Sequence, residues 1–335
     1  MSAFHVVPGA FTAQVLAGSR PTVMALVAEA YRTHEAGRTI NPDSYFLTFP
    51  EKPDSRVIAL PAYLGGDVDT IGIKWIASFP GNVRHGRPRA SAVLLLNDYA
   101  TGYPIACMEA AGISAARTAA SAAVAARALT PAGHRRASTA IVGAGVIART
   151  VFDYLTDSGA VLGDLVVHDQ DPASADHLVR HASERLGYRA TRADSLDEAL
   201  KADLVVFATT AAEPYVPADT QFRPGQLILN ISLRDLAPEL LLTANNIVDD
   251  IDHCLKARTS PHLAELLTGG RDFINGTLGG LLAGDVALDP GRPTVFSPFG
   301  LGVLDIAVGR HVLGEAIADG AALDVPGFFG ETQRW

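Results

Sequence analysis

Cysteine is scarce in this sequence. Its 335 residues include only Cys107 and Cys254, which lie far apart and belong to no motif. A disulfide framework needs more cysteines at regular spacings, so this content indicates a reducing compartment, and we expect the cytoplasm. The first residues, MSAFHVVPGAF, also lack the basic start and long apolar run of a secretory signal.

Long apolar runs and excess positive charge are also missing. No stretch is long and apolar enough to span a bilayer. With 27 Lys and Arg against 36 Asp and Glu, the net charge is −9, and nothing resembles the basic stripe of a nucleic-acid-binding protein. The sequence therefore argues against membranes and nucleic acids as partners and favours a small-molecule substrate.

Metal-binding patterns are absent too. The ten histidines are scattered, and His177 and His181 alone have a spacing that places two of them on one helical face. The metalloprotease signature with its glutamate is missing around them. A solvated helix is the favoured interpretation, and we expect no bound metal.

Apolar residues are plentiful at 48%, and the length favours two domains. The change between them falls at TPAGHRR (130–136), which is typical of a linker. Before it come a helical segment (21–37) and short strand-like runs, such as SRVIALPAYL, TIGIKWIASF and ASAVLLLND. The last apolar segment (300–320) predicts a long helix, which we expect to fold back onto the first domain.

After the linker, apolar strands alternate with amphipathic helices, which predicts βαβ units and a Rossmann-type, doubly wound parallel sheet. The predicted strands are 137–143, 164–169, 203–208, 226–231 and 246–250. The predicted helices are 146–158, 173–186, 195–201 and 237–243. The fold class is therefore α/β, with a second α+β domain built from both ends of the chain.

A glycine-rich turn follows the first of these strands. Gly143 permits a tight turn, Gly145 allows backbone to approach a pyrophosphate, and Ala148 allows the helix to pack closely on the strand. With Val146 and Ile147, Ala148 would begin a helix whose free N–H groups favour phosphate. A lone glycine motif is weak, but here a strand precedes it and a helix follows.

The second strand ends in Asp169, 24 residues after Gly145. A carboxylate at this position accepts hydrogen bonds from the ribose hydroxyls and repels a 2′-phosphate, so we expect NAD rather than NADP. Arg149 is close in sequence but belongs to the first helix.

Arg117 interrupts the alanine-rich run GISAARTAASAAVAARALT (112–130), which predicts a helix. The guanidinium forms either a buried structural ion pair or part of a site that needs a cation. Four more basic residues adjoin apolar strand-like runs, namely Arg56, Lys74, Arg87 and Arg89. The flanks of Lys74 and Arg117 offer no acid at strand or helix spacing, so for these two we favour a functional role. A surface or ion-paired role is the favoured interpretation of Arg87, and the two readings are balanced for Arg56 and Arg89.

The segments RASAVLLLNDYATGYPIACMEAAGISAARTAASAAVAARAL and STAIVGAGVIA resemble the ornithine cyclodeaminase/mu-crystallin family. The specific signatures are Thr-Gly-x-Pro at 101–104, Arg-Thr-Ala-Ala at 117–120 and the glycine turn. The resemblance implies a homodimer. It assigns 1–125 and 305–335 to a substrate-binding and dimerisation domain, and 126–304 to an NAD-binding domain.

The resemblance also implies roles for individual residues. Arg56, Lys74 and Arg117 match cations that bind substrate carboxylates, Thr118 matches a phosphate contact, and Asp235 matches the catalytic aspartate. Arg89 is assigned to a distal carboxylate. The remaining cofactor contacts are expected at Thr209, Ser297 and Gly300.

The surroundings of the aspartate, Leu-Arg-Asp-Leu-Ala-Pro at 233–238, depart from the Gly-Asp-Cys/Ala-Pro-Gly-Lys setting of cyclodeaminases. Together with INPDSYFLTFPEKPDSRVIALPA and GIKWIASFPGN, they resemble the branch that forms 2,3-diaminopropionate for siderophores or peptide antibiotics. The implied reaction is NAD-dependent oxidative cleavage of N-(2-amino-2-carboxyethyl)-L-glutamate to 2-oxoglutarate and 2,3-diaminopropionate. Lys74 and Asp235 would be the catalytic residues.

Two kinds of alternative stay open at this point. One is another enzyme of the family: an ornithine cyclodeaminase, an amino-acid dehydrogenase or a ketimine reductase. The other is a nucleotide-dependent binding protein without activity, which the joint presence of Lys74, Arg117 and Asp235 argues against.

Overall fold

The computed structural model describes residues 4–130, 136–160 and 162–330. Its internal contacts divide the chain into two units, residues 1–117 with 301–335 and residues 118–300. Both boundaries fall a few residues before the predicted divisions, and the roles assigned to the two domains stay predictions. Most of the expected linker at 130–136 lies outside the described residues.

The strands, in chain order, are β1 (His5–Val7), β2 (Thr39–Ile40), β3 (Tyr45–Phe49), β4 (Lys52–Leu64), β5 (Thr70–Ser78), β6 (Ala90–Asp98), β7 (Pro104–Glu109), β8 (Ser138–Val142), β9 (Asp164–His168), β10 (Ala190–Arg192), β11 (Leu204–Phe207), β12 (Leu227–Asn230), β13 (Asn245–Val248), β14 (Gly276–Thr277), β15 (Thr294–Ser297) and β16 (Leu323–Asp324). The helices are α1 (Gly9–Gly18), α2 (Arg20–Glu35), α3 (Ala111–Ala128), α4 (Val146–Asp157), α5 (Pro172–Arg180), α6 (Leu196–Ala199), α7 (Pro238–Leu242), α8 (Ile251–Cys254), α9 (Ser260–Thr268), α10 (Leu278–Ala283) and α11 (Gly302–Ala318).

The first unit contains a sheet in the order β16-β1-β7-β6-β5-β4-β2, with β3 also paired to β4. Helix α11 packs against β4, β5 and β6 and against α2, so it covers one face of the sheet. Gly309 permits this close approach, because a Cβ there would lie 2.1 Å from Leu94 Cδ2. The predicted long helix near the end of the sequence is confirmed, and it belongs to the first unit.

The second unit is a parallel sheet in the order β10-β9-β8-β11-β12-β15-β13-β14. Every residue of β11, β12 and β13 is buried, as expected for strands covered on both faces. The chain order reverses between β8 and β11, which is the switch point of a doubly wound fold. The predicted Rossmann-type α/β class is confirmed, as are the strands and helices predicted between residues 137 and 250, with small shifts at their ends.

The sequence analysis missed several elements. The most consequential is β15, which comes last in the unit yet lies between β12 and β13. Its four residues, Thr-Val-Phe-Ser, include only two apolar ones, too few for a periodicity that would distinguish a strand from a buried piece of helix. Helix α1 was missed as well, because its apolar residues show no helical periodicity.

Among the described residues, no helix has both the length and the apolar character required to cross a membrane.

Candidate active site

The candidate cofactor residues of the second unit gather at one edge of its sheet. Gly143 follows β8, Asp169 follows β9, Thr209 follows β11, Asp235 follows β12, and Ser297 ends β15. All these strands run parallel, so their carboxyl ends face the same side. This edge is where open α/β sheets bind their ligands.

The glycine turn has the backbone geometry that its sequence predicts. Gly143 has φ of +91°, and a Cβ there would lie 2.5 Å from the Ala208 carbonyl oxygen. Its N–H donates to the His168 carbonyl (2.8 Å), which ties the turn to the end of β9. No residue with a side chain fits this position without displacing backbone.

Gly145 lies in open space at the start of α4. It is the N-cap residue, and nothing lies within 4 Å of a Cβ built there. The first intrahelical bond is donated by Arg149 to Gly145, so the amides of Val146, Ile147 and Ala148 precede the helical ladder. Free amides with open space in front of them fit a pyrophosphate, and the residues present therefore suit a dinucleotide.

Asp169 is bonded to backbone in two directions. One oxygen accepts from the Ala144 N–H (2.7 Å) and the other from the Asp171 N–H (2.8 Å). A carboxylate has about four acceptor sites, so these bonds leave capacity for ribose hydroxyls. The same contacts fix the carboxylate beside the glycine turn, where a 2′-phosphate would meet its charge.

Asp235 is fully buried, and two hydroxyl groups hold its carboxylate. Thr209 donates to one oxygen and Ser232 to the other. The Tyr215 side chain also lies beside it, since burial and then the Asp235 charge raise the pKa of Tyr215 well above its ordinary value. The carboxylate is therefore held in one orientation by groups from the loops after β11 and β12.

A strained turn leads into Asp235. Leu233 has φ of +77°, and the Arg234 N–H donates to the Ser232 carbonyl (3.0 Å) across it. The Ser260 N–H donates to the Leu233 carbonyl (2.8 Å) and so helps to hold the turn. A non-glycine residue in this conformation costs about 1–3 kcal/mol, and such residues cluster at functional sites.

Ser297 and Gly300 belong to a loop held by a buried carboxylate. Asp249, directly after β13, accepts from the N–H groups of Phe299 (3.0 Å) and Gly300 (2.6 Å). Burial raises the pKa of Asp249. The Ser297 hydroxyl accepts from the Asn230 amide (3.2 Å), which joins the ends of β12 and β15.

In the first unit, Lys74 is fully buried in the middle of β5. Its Nζ donates to Asp305 Oδ2 (2.7 Å) and to the Ser114 hydroxyl (3.1 Å). Burial lowers the pKa of Lys74 to about 8, with Asp305 opposing the shift and Arg117 adding to it. At neutral pH this amine therefore carries its charge.

Arg117 faces the same carboxylate, with its Nε 3.5 Å from Asp305 Oδ1. The sequence flanks of Lys74 and Arg117 hold no acid at strand or helix spacing, and the acid that faces them comes instead from α11, far along the chain. Of the two interpretations of Arg117, the structure shows the buried ion pair, which joins two cations to one carboxylate; a role in a site that needs a cation stays a prediction.

Arg56 and Arg89 form a second basic group. Arg56 lies on the same sheet face as Lys74. Lys74 pairs with Leu60, and Arg56 lies four residues before Leu60 on β4, where side chains alternate between the two faces. Burial lowers the pKa of Arg89, and the charge of Arg56 adds to this, so the two guanidinium groups are neighbours. Arg56 and Arg87 are exposed, whereas Arg89 is partly buried.

Arg56 does not join the Lys74 cluster directly. Arg56 pairs with Ser78, which lies four residues beyond Lys74 on β5, or about 13 Å along the strand. The structure thus places the predicted cations in two groups, Lys74 with Arg117 and Arg56 with Arg89, rather than in a single cluster.

Two other predicted positions are simply located. Thr118 is half-buried in α3, directly after Arg117. The His181 ring nitrogen lies 2.6 Å from Asp153 Oδ1, so this histidine is bonded to α4.

The sequence analysis missed two buried carboxylates, Asp305 within the apolar run GVLDIAV and Asp249 directly after the apolar end of β13. That pattern was the available signal, because acids are rarely buried without a partner. It was applied to Lys74 but not to these two residues. Ser232 was missed because a serine near a strand end has no distinctive pattern.

The fold and the glycine turn define a class, the dinucleotide-dependent oxidoreductases. More narrowly, the chain belongs to the ornithine cyclodeaminase/mu-crystallin family, whose model matches residues 13–320. This confirms the resemblance noted in the sequence.

Three relatives illustrate the range of the family. The N-((2S)-2-amino-2-carboxyethyl)-L-glutamate dehydrogenase of Staphylococcus aureus is 30% identical over 87% of this chain and 88% of its own. The structure of Thermococcus litoralis Delta(1)-pyrroline-2-carboxylate reductase with NADH and L-proline is 25% identical, with a TM-score of 0.88 over 96% of this chain and 100% of the other. An archaeal alanine dehydrogenase dimer with bound NAD is 25% identical, with a TM-score of 0.85 over 97% and 100%.

With the glycine turn and Asp169 in place, the protein is an NAD-dependent oxidoreductase that acts on amino-acid CH–NH bonds.

Proposed function

We propose that the protein cleaves N-(2-amino-2-carboxyethyl)-L-glutamate oxidatively to 2-oxoglutarate and L-2,3-diaminopropionate. The observation that carries this proposal is the presence of two basic groups in the first unit, Lys74 with Arg117 and Arg56 with Arg89. N-(2-amino-2-carboxyethyl)-L-glutamate, called the conjugate below, has three carboxylates, whereas alanine and proline have one each. The Staphylococcus aureus relative adds support.

The charge balance within these groups favours a substrate with several carboxylates. Asp305 neutralises one of the two charges shared by Lys74 and Arg117. Arg89 is partly buried beside another guanidinium, and none of the described carboxylates forms an ion pair with either Arg56 or Arg89. Although Arg56 is exposed, Arg89 is partly withdrawn from water and needs a counter-charge, which a substrate carboxylate would supply.

The reaction begins at the α-carbon of the glutamate portion. NAD+, when bound, accepts the hydride from this carbon. Loss of the hydride leaves a protonated imine, and water adds to its carbon with loss of one proton. The C–N bond of the resulting carbinolamine then breaks as the nitrogen is protonated and the hydroxyl proton is released. The glutamate portion is released as 2-oxoglutarate, and the nitrogen of the broken bond remains as an amine of 2,3-diaminopropionate.

Asp235 is the proposed general base. It would take a proton from the attacking water and return it to the departing nitrogen. Thr209 and Ser232 hold the carboxylate in one orientation, which suits a group that must meet a defined proton. The strained turn at Leu233 supports a functional role for this position.

Lys74 has a different proposed role. Its charge would bind a substrate carboxylate and disfavour protonation of the reacting amine, since a nearby cation disfavours ammonium. The hydride can leave only when the nitrogen lone pair is free. Arg56 and Arg117 would orient the substrate, and Arg89 would hold its distal carboxylate.

The proposed cofactor contacts are Thr118, Gly143, Gly145, Val146, Ile147, Ala148, Asp169, Thr209, Ser297 and Gly300. The amides at the start of α4 would bind the pyrophosphate. The loop that contains Ser297 and Gly300 would lie near the nicotinamide.

The decisive experiment measures NADH formation from NAD+ with the conjugate, with ornithine and alanine as parallel substrates. A steady rise in absorbance with the conjugate alone, together with accumulating 2-oxoglutarate, is the expected result. Proline and ammonia from ornithine without net NADH would instead identify a cyclodeaminase. Net NADH from alanine alone would identify a simple amino-acid dehydrogenase.

We also propose a homodimer formed by the outer face of the first unit's sheet. Trp75 is adjacent to Lys74 and therefore points to the opposite face, away from α11. Trp75 is 45% exposed, and it pairs with Ala59 of β4 on one side and with Val93 of β6 on the other. Ala59 pairs in turn with Tyr45 of β3, which is 74% exposed. Apolar side chains grouped on one sheet face are typical of an interaction surface.

A cytoplasmic location and a role in siderophore or antibiotic biosynthesis complete the proposal.

A further inference from the structure

Among the residues that the structure describes, Asp305 is the one carboxylate that both Lys74 and Arg117 approach. It lies in the first turn of α11, is fully buried, and reaches Lys74 Nζ at 2.7 Å and Arg117 Nε at 3.5 Å. We infer that Asp305 is a positioning residue that keeps Lys74 charged and directs Lys74 and Arg117 toward a substrate carboxylate. The carboxylate ligand rests on the proposed function; the coupling between Asp305 and Lys74 does not.

The hydrogen bonds of Lys74 support this inference. An ammonium group has three donors, and two of them point to Asp305 and Ser114. Ser114 and Arg117 come from α3, whereas Asp305 comes from α11. With two directions fixed from two helices, the direction of the third N–H is also fixed.

The charge count leads to the same conclusion. Two cations and one carboxylate leave one positive charge in a buried cluster, which is enough to attract one carboxylate. Without Asp305, two like charges would remain buried together, and the lysine would release its proton far more readily than the arginine. Asp305 and Arg117 are the charged groups that face Lys74, and their effects on its pKa have opposite signs.

The geometry around Arg117 leaves room for adjustment. Arg117 Nε and Asp305 Oδ1 are both buried, and neither has a hydrogen-bond partner among the described residues. Hydrogen bonds in an active site often shorten only when the substrate binds. A carboxylate that draws Arg117 inward would close this gap.

The first test measures the ionisation of Lys74 directly. The chain has four lysines, so a sample labelled with ¹³C at lysine Cε gives few NMR signals, and Lys74→Met identifies the one of interest. We expect Lys74 to titrate near pH 8 in the native protein. In Asp305→Asn it should titrate at least about one pH unit lower, because an opposite charge at this distance shifts a pKa by about 1–3 units.

Matched variants separate charge from packing. Asp305→Glu keeps the charge and should leave Lys74 close to its native titration, whereas Asp305→Ser is a second neutral variant to use if Asp305→Asn does not fold. Glu315→Gln removes an exposed acid from the same helix and should change nothing. An unchanged Lys74 titration in the neutral variants would overturn the inference.

The second test is kinetic. Lys74 binds a carboxylate only when protonated, so the KM for the conjugate should rise as the pH rises through the pKa of Lys74. In Asp305→Asn this rise should begin at lower pH, and lowering the pH should restore the native KM. A purely structural role would instead change KM or kcat equally at every pH.

The two tests also distinguish the two proposals. If Lys74 shifts as expected but the conjugate is not oxidised, the proposed substrate is wrong while the Asp305–Lys74 coupling stands. The pH dependence of KM is then measured with whichever amino acid yields NADH. If the conjugate is oxidised but Lys74 does not respond to Asp305, only the inference fails.

Discussion

Thr209 and Asp235 follow neighbouring parallel strands, and the threonine hydroxyl donates a hydrogen bond to the aspartate carboxylate. Ser232 donates to the opposite oxygen. Both oxygens of the proposed base are thus held by neutral donors, which fix its direction without neutralising its charge.

Asp235→Asn should therefore lower turnover by about 10²–10⁴-fold, the usual contribution of a general base. The amide has the same shape, so NAD+ binding and the thermal unfolding temperature should stay close to native. Initial rates of NADH formation and a melting curve test this. Asp219→Asn, at an exposed position in the same unit, is the matched control. Native turnover in a folded Asp235→Asn protein would contradict the assignment.

The two glycines of the dinucleotide turn should respond differently to alanine. At Gly143 the positive φ alone costs about 1–3 kcal/mol, and the new Cβ collides with the Ala208 carbonyl, so Gly143→Ala should lower the unfolding temperature markedly. Gly145→Ala meets no protein atom, so it should fold normally but bind NAD+ about tenfold or more weakly, because its methyl group occupies pyrophosphate space. Melting curves and NAD+ titrations measure both effects, and normal affinity in Gly145→Ala would argue against a pyrophosphate there.

Asp169→Ser should raise the efficiency with NADP+ relative to NAD+ by about tenfold or more, because the charge that repels the 2′-phosphate is removed. It should also cost about 1 kcal/mol of stability through the lost bond to Ala144 N–H. Asp171→Ser, two residues away, retains an N-cap side chain for α5 and should not change the cofactor ratio. The kcat/KM values for both cofactors provide the measurement. An unchanged ratio in Asp169→Ser would place the ribose elsewhere.

Arg89→Gln should raise the KM for the conjugate by about tenfold or more, since a hydrogen bond to a charged group contributes about 1.5–3 kcal/mol. Any activity on alanine, which lacks a distal carboxylate, should be unaffected. Arg87→Gln removes an exposed arginine two residues away and is the control. Equal effects of the two substitutions would indicate general electrostatic attraction rather than a specific contact.

Trp75→Glu should convert the proposed dimer into monomers, because it places a charge in the middle of an apolar sheet face. Analytical ultracentrifugation determines the mass, and circular dichroism shows whether the variant is folded. Ile317→Glu changes an exposed apolar residue on α11 and should leave the mass unchanged. A native protein that sediments as a monomer would refute the dimer itself.

The sequence predicted most of the second unit, because its elements depend on local periodicity. The run LVVF is apolar throughout and LILN is apolar up to Asn230, and the turn at Gly143 requires residues that can be recognised in the sequence. The position of β15 between β12 and β13 was not predictable, since pairing between distant strands leaves no local pattern.

The candidate site shows the same limit. Lys74 was identifiable because a lysine between Ile73 and Trp75 in an apolar strand is unusual. Its partner was not, because Asp305 lies 231 positions away in the sequence. Spacing rules describe one strand or helix at a time, and this ion pair joins β5 to α11.

The coverage of β4, β5 and β6 by α11 has a consequence for synthesis on the ribosome. The chain from Ser78 to Gly302 takes about 10 to 45 s to make at about 5–20 residues per second. Throughout that interval the nascent sheet lacks its covering helix, while the whole of the second unit emerges. A chain released early would expose this apolar face, so premature termination yields a client for chaperones rather than a smaller enzyme.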